Sequence, residues 1–214
     1  MKNTFAKMFT VCALAGVLGV AFTGCGEDSS STRASGSYAG RTVTIGNQVW
    51  MAENLNIDTE DSWCYDNNPE MCAKYGRLYT WEAAMKACPS GWRLPSHEDW
   101  MTLFDTIDET GFGPGFGMDV GGIKLKSVDG WEDDPKVTKS EDVYGFSAFP
   151  AGEGEKDGEK FHGMGRYTKF WSTEEKSFSE DAYAMVLSYN HDEARYLDYK
   201  KTDAYSVRCV KNSD

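Results

Sequence analysis

The chain has 214 residues, of which 40% are hydrophobic, 14% aromatic and 26% charged, a balance that suits one globular domain behind an exported leader. Lysine and arginine number 22 against 34 aspartates and glutamates, for a net charge of −12. Such a surface argues against nucleic acid, whose affinity is largely phosphate neutralisation, and against charge-driven adhesion to anionic lipid. It leaves neutral polysaccharide, cations or a basic protein as partners, and solubility through self-repulsion accounts for it with no ligand at all.

Met1–Lys7 is a short basic segment, and Met8–Phe22 is apolar, too short to span a bilayer but of the right length for a signal peptide. It runs into Phe22-Thr23-Gly24-Cys25, which resembles the lipobox of bacterial lipoproteins, with Phe22 in place of the usual leucine. The resemblance implies a lipoprotein signal peptide over residues 1–24 and acylation of Cys25, palmitate included. Several acyl chains, at about 0.8 kcal/mol per buried methylene, would hold the protein on a membrane. Gly26 after the cysteine favours the outer membrane. Residues 25–37, rich in serine, glycine and charge, form a lipidated flexible tether. Residues 38–214 remain as a single domain.

Arg41–Ile45 and Gln48–Met51 flank Gly46-Asn47, a two-residue hairpin signal. Thr80 can cap a helix over Trp81–Ala87, which Pro89 ends by restricting Cys88. Ser90-Gly91 is a turn. Ser96 and Asp99 then make a capping box, and Trp100, Leu103, Phe104 and Ile107 recur on one helical face. Gly111–Gly117 is a loop, since five of its seven residues are Gly or Pro. Ile123–Ser127 alternates apolar with polar, Trp131–Lys136 is a charged turn, and Gly145–Phe149 begins a β region. Ala151–Lys160 reads as an acidic, glycine-rich insertion. Tyr183, Met185, Leu187 and Tyr189 alternate with Ala184, Val186 and Ser188 as a strand. Strands over Arg195–Tyr199 and Tyr205–Val210 follow. Trp63, Trp92, Trp100 and Trp171 are core candidates.

Of six cysteines, Cys12 leaves with the leader and Cys25 takes lipid; Cys64, Cys72, Cys88 and Cys209 remain. An even number in an oxidising compartment reads as two disulfides, and four cysteines allow three connectivities. A thiolate metal site would need closer spacing or histidine partners.

Gly91-Trp92-Arg93-Leu94-Pro95-Ser96, followed by Asp99-Trp100, resembles a signature of the Fibrobacter succinogenes major paralogous domain, a group of bacterial surface domains. The resemblance extends through Trp50-Met51-Ala52-Glu53-Asn54-Leu55-Asn56 and Tyr75-Gly76-Arg77-Leu78-Tyr79-Thr80-Trp81. It continues through Gly145-Phe146-Ser147-Ala148, Phe170-Trp171-Ser172 and Ser206-Val207-Arg208-Cys209-Val210, covering roughly residues 41–211. A related motif marks formylglycine-generating enzymes and other C-type-lectin-like domains. The implied fold is therefore α+β and C-type-lectin-like: two helices packed on short, twisted, mainly antiparallel sheets with long loops. It implies the pairing Cys88–Cys209, the long bridge from a helix region to the last strand. Cys64–Cys72 then closes a short loop rich in turn formers. Tyr205, Val207 and Cys209 should face inward.

No reaction is legible. His97, His162 and His191 are scattered, no Gly-x-Ser-x-Gly elbow occurs, and the copper-binding cysteine pair of formylglycine-generating oxidases is missing. No catalytic or metal residue is assigned, and no cofactor is expected. Calcium enters only as a candidate at Glu153, Glu155, Asp157 and Glu159, whose spacing matches no EF-hand. The lectin-like resemblance implies a ligand face of loops and nearby strands carrying Trp131, His162, Arg166, Tyr167, Tyr189, Asn190, Asp192, Tyr196 and Tyr199, aromatic and polar groups that suit a sugar. The expected function is a surface-anchored, non-catalytic recognition module for polysaccharide. An envelope assembly component that contacts other proteins, and a divergent enzyme, are the alternatives.

Overall fold

Successive side chains of a strand leave opposite faces, and in this protein the central strands are covered on both. A computed structural model describes residues 38–107, 121–155 and 158–212. The leader, Cys25, the tether and the Gly111–Gly117 loop lie outside the described residues.

In chain order the elements are β1 (Thr42–Ile45), β2 (Gln48–Met51), β3 (Ser62–Trp63), a 3-10 turn (Tyr65–Asn67), α1 (Pro69–Tyr75), β4 (Leu78–Tyr79), α2 (Trp81–Ala87), β5 (Trp92–Arg93) and α3 (His97–Ile107). There follow α4 (Gly121–Leu125), β6 (Ala151–Gly154), β7 (Phe161–Met164), β8 (Tyr167–Glu175), β9 (Asp181–Ser188), β10 (Arg195–Lys200), β11 (Tyr205–Ser206) and β12 (Val210–Lys211). The fold is mixed α+β with two sheets, mostly antiparallel. The smaller runs β1-β2-β12-β5 and the larger β10-β9-β8-β11-β4-β3, with β6 parallel to β8 and β7 paired to β6.

The expected hairpin forms, with Gly46 at φ 60°, as a turn with glycine at its first central position requires. A β-carbon there would also lie 2.7 Å from Thr106 of α3. Thr80 caps α2, accepting from the Ala83 amide at 3.3 Å. The capping box of α3 closes in both directions: Asp99 accepts from the Ser96 amide at 2.7 Å, and the Asp99 amide donates to Ser96 Oγ at 3.2 Å. Arg93 adds a forked ion pair to Asp99, with Nη2 2.7 Å from Oδ1. Glu174 of β8 accepts from the His97 amide at 2.7 Å, tying the start of α3 to the larger sheet. Trp100, Leu103, Phe104 and Ile107 are all buried, as their spacing requires.

Several elements differ from expectation. Four short helices are present among the described residues, where two were expected. The loop of the Cys64–Cys72 bridge contains most of α1, capped by Asn68, which accepts from the Glu70 amide at 3.0 Å. Pro69 sits in its first turn, where a missing amide proton costs nothing. The alternating stretch from Ile123 is mainly helix α4, because Gly121 and Gly122 let it pack closely: a β-carbon on Gly122 would lie 2.6 Å from the Asp192 carbonyl. The first part of the acidic insertion is strand β6. Trp100 and Trp171 are fully buried, whereas Trp63 and Trp92 are half-buried.

The core has two parts. One joins Trp50, Trp100, Phe104, Phe146, Phe170, Met185 and Val210; the other joins Met51, Tyr79, Trp81, Trp171, Ala184, Tyr205, Val207 and Cys209. Neighbours such as Trp50 and Met51, or Phe170 and Trp171, therefore serve opposite cores. The same alternation puts Tyr205, Val207 and Cys209 in one core and Val210 in the other.

The last segment is not one strand. β11 belongs to the larger sheet and β12 to the smaller, so residues 207–209 cross between them. Cys209 is bridged to Cys88 at the end of α2, with Cα atoms 6.0 Å apart, and Cys64 is bridged to Cys72 at 4.9 Å. Closing the longer loop contributes about 4–5 kcal/mol in the chain-entropy picture.

Arg208 is fully buried at the crossing. It donates to the Met51 carbonyl at 3.2 Å, the Phe146 carbonyl, Asn54 Oδ1 at 2.5 Å and the Ser147 carbonyl at 3.4 Å. The guanidinium carbon lies 4.4 Å and 5.4 Å from the ring centroids of Phe146 and Phe170. Among the described residues no carboxylate lies within 4 Å of it. Burial pulls its pKa down to about 9, against the opposing pull of Tyr38, Asp142 and Glu53, so it stays cationic at neutral pH. Asp142 also holds Ser147 at φ 51° by accepting from its amide at 2.7 Å, which fixes the carbonyls that face Arg208.

Two outcomes are expected. Arg208→Met should cost about 3–5 kcal/mol in chemical denaturation, because carbonyls at Met51 and Phe146 lose their donor in a dry site; a loss under about 1 kcal/mol would contradict this role. For Asp99, burial favours the neutral form, but hydrogen bonds from Arg93 and Ser96 outweigh it and hold the carboxyl below its ordinary value of 3.8. Its stabilisation is therefore present above about pH 4 and lost as pH falls through the lower folded value. Asp99→Asn should cost about 1–2 kcal/mol at pH 7. It should also flatten the acid limb of a stability-versus-pH curve, and an unchanged acid limb would count against the assignment.

Candidate functional site

The segment from Trp131 to Ser140 has little regular structure, so specific contacts must hold it. The Trp131 indole donates to the Ala148 carbonyl at 3.2 Å, and the Glu132 amide to the Gly165 carbonyl at 2.8 Å. Asp192 accepts from the Thr138 amide at 2.9 Å and from its hydroxyl at 3.2 Å. The segment then walls a groove of about 460 Å³ against Tyr189, with Glu132, Asp133 and Asp134 on its rim. Arg166 lies 5.3 Å from the Tyr189 ring and pairs with Glu132 at 3.2 Å. Trp131 and Tyr189 are each half-buried, leaving part of their aromatic surface at the groove.

The groove's floor is Lys126, which is almost fully buried. Its ammonium donates to the Ser188 and His191 carbonyls, each at 2.6 Å, and sits 5.1 Å from the Trp131 ring centroid. Burial pulls its pKa down to about 8, partly offset by Asp192 and Glu193. Lys126 thus pins the end of β9 to the segment after α4, beneath the Trp131 ring that lines the groove.

A second cluster lies on the larger sheet. Register places Tyr167 and Lys169 of β8, Val186 and Ser188 of β9, and Arg195, Leu197 and Tyr199 of β10 on one face. At one end this face is the second core, around Trp171 and Ala184; at the other it opens into a basin of about 330 Å³. Lys169 sits between them, paired to Glu153, with its ammonium 3.9 Å from the Tyr199 ring centroid, 4.6 Å from Tyr205 and 5.3 Å from Tyr167. Tyr167 donates to Glu153 at 2.7 Å. Burial pushes the Tyr199 phenol up to about 12, and burial followed by the hydrogen bond it donates to Glu153 pushes Tyr167 up as well. All the phenols here are neutral at physiological pH. The cage is filled by the protein's own lysine.

The nine residues expected on one ligand face are therefore divided. Trp131 and Tyr189 line the groove, Arg166 reaches it only through its contacts with Tyr189 and Glu132, and Asp192 braces its wall. Tyr167 and Tyr199 lie on the open sheet face. Tyr196 takes the other face, because the strand period separates it from Tyr199: it stacks on Tyr183 at 5.2 Å and donates to Ser172 and Glu174 at 2.8 Å and 3.1 Å. His162 of β7 pairs with Glu155 at 2.8 Å, and Asn190 accepts from Ser188. Lys126 and Lys169 were not anticipated: an alternating pattern such as Ile123–Ser127 places its lysines on the solvent side, and Tyr167-Thr-Lys-Phe-Trp171 carries no local signal that its lysine is buried. For the calcium candidates, Glu153 is taken by Lys169 and Tyr167, Glu155 by His162 and Lys160, and Asp157 lies outside the described residues. Among the described residues no three His, Cys, Asp or Glu side chains converge as metal ligands, and no helix is long and apolar enough to cross a membrane. The two disulfides suit an oxidising, extracytoplasmic compartment.

Comparison with known proteins identifies one family: the model of the Fibrobacter succinogenes major domain matches residues 43–211. No curated protein and no solved structure matches the chain. The matched span runs from β1 to β12 and contains both bridges, Arg208, the groove and the tyrosine cage, and the chain belongs to the Fibrobacter succinogenes major domain family.

Proposed function

We propose that this chain is an outer-membrane lipoprotein, anchored through Cys25 and held away from the lipid by residues 25–37, whose domain is a non-catalytic recognition module for neutral polysaccharide. The observation that carries the reading is the groove lined by Trp131, Tyr189, Lys126 and the Glu132–Asp134 carboxylates, with Arg166 set behind it against Tyr189 and Glu132. Aromatic faces stack on the apolar faces of sugar rings, while nearby carboxylates, amides and cations exchange hydrogen bonds with hydroxyls. The acidic rim disfavours polyanions. A C-type-lectin-like fold is the finer architecture that fits this use; the long bridge from the end of α2 to the final segment supports it.

An assembly role in the envelope is the second reading, favoured by Phe178, which is fully exposed with φ 58° at the turn between β8 and β9. In-cell crosslinking at that turn separates the two, since assembly requires a fixed protein neighbour.

The chain without residues 1–24 should bind neutral glycans on an array, with affinities then measured by calorimetry. Trp131→Ala and Tyr189→Ala should each weaken binding by about tenfold or more, the effect of roughly 1.4 kcal/mol. Absence of binding by well-folded protein, or binding indifferent to Trp131→Ala, would contradict the proposal. Cys25→Ser in the full chain should move the protein from the membrane fraction to the soluble one; retention in the membrane would refute the lipid anchor.

A further inference from the structure

The two bridges sit in different surroundings. Each joins a buried cysteine to a half-exposed one, Cys209 to Cys88 and Cys72 to Cys64, but Cys88 and Cys209 pack in the second core, whereas Cys64 and Cys72 lie outside both core clusters, at the end of β3 and in α1. Arg77 faces the second pair. Its Nε donates to Ser62 Oγ at 3.0 Å, and its Nη2 to Asp58 at 2.7 Å and the Ser62 carbonyl at 2.9 Å. Its Nη1 points at the bridge itself, 3.8 Å from Cys64 Sγ and 3.8 Å from Cys72 Sγ. A neutral disulfide gains little from a guanidinium, but a thiolate gains a great deal. The ring that the bridge closes also holds two consecutive residues in the left-handed region, Asp66 at φ 54° and Asn67 at φ 53°.

We propose that Cys64–Cys72 is a thiol-exchange site, opened by small dithiols with Arg77 receiving the departing thiolate, while Cys88–Cys209 is a fixed structural bridge. One thiolate of the dithiol attacks Cys64 Sγ, the accessible sulfur. The Cys64–Cys72 bond breaks and its electron pair leaves on Cys72 Sγ, facing Arg77 Nη1. The second thiolate of the reagent then attacks its own sulfur in the mixed disulfide and expels Cys64 as a thiolate. The dithiol is oxidised to a cyclic disulfide and the protein gains two electrons. A better-stabilised leaving thiolate departs faster. Opening frees the turn that packs Tyr65 against Phe161 at 5.3 Å, so the exchange is coupled to the β6–β7 hairpin. This site is separate from the groove and independent of the ligand proposed there.

The test is timed reduction of the native, folded protein by dithiothreitol, with alkylation and peptide mass mapping of each bridge. Cys64–Cys72 should open while Cys88–Cys209 stays closed. Arg77→Met should slow the opening about threefold or more, the effect of roughly one unit in the leaving thiol's pKa at a Brønsted coefficient of about 0.5. Asp58→Asn removes the carboxylate that offsets Arg77 from an exposed position, and should speed opening several-fold. Simultaneous opening of both bridges, or an Arg77→Met protein that opens as fast as the parent, would overturn the proposal. If Arg77→Met does not fold, the Asp58→Asn rate decides alone, and an unchanged or slower rate overturns it.

Discussion

A guanidinium that has no carboxylate beside it among the described residues holds the two sheets together. Arg208 occupies the short crossing between β11 and β12, and its donors reach backbone carbonyls on two other segments, the end of β2 and the loop at Phe146–Ser147. A buried charge is tolerable only when its donors are met. Here carbonyl dipoles, the Asn54 side chain and two aromatic rings meet them. Asn54 in turn donates to the Tyr75 carbonyl at 2.8 Å and approaches Ser206 Oγ at 3.3 Å, so one polar network reaches α1, β2, β11 and the crossing. The Cys88–Cys209 bridge fixes the same crossing covalently to the end of α2.

From this crossing follows the division of the core. Strands that run between two apolar clusters cannot alternate simply between oil and water. They send large residues to both sides in the middle and turn polar only toward their ends. β8 shows the pattern: Phe170 and Trp171 are fully buried on opposite sides, while Tyr167 and Glu175 at its ends are not. The polar ends are where the groove and the open sheet face lie. Lys126 and Lys169 mark the two transitions, each with its stem buried and its ammonium held by carbonyls, a carboxylate or aromatic rings.

Local signals in the sequence carried local structure well. Gly46-Asn47, Thr80, Pro89, Ser96 with Asp99, and the Trp100-to-Ile107 stripe each act through near neighbours, and each forms as expected. Helix α1 escaped notice because its Asn68-Pro69-Glu70 start lies in a stretch dominated by turn formers, although those residues are themselves a helix-start signal. Helix α4 depends on glycines that matter only because Asp192, far along the chain, packs against them. The break between β11 and β12 is likewise a property of two sheets rather than of the strand. The candidate site was legible as a set of residue types and only partly as a place. Tyr196 and Tyr199 are three apart in one strand and so belong to opposite faces, which the register makes plain. The meeting of Trp131 with Tyr189 rests on long-range packing that no spacing encodes.

The dependence of the fold on residues 207–209 can be measured amide by amide. The Met51 amide donates to the Cys209 carbonyl at 3.1 Å and the Leu55 amide to the Val207 carbonyl at 2.8 Å, both against the crossing. Native-state hydrogen exchange resolved to single residues should find these two amides among the last to exchange, opening only with global unfolding. Exchange at Met51 and Leu55 as fast as in the edge strand β10 would show that the crossing opens by itself, and the account of how this protein is held together would be wrong.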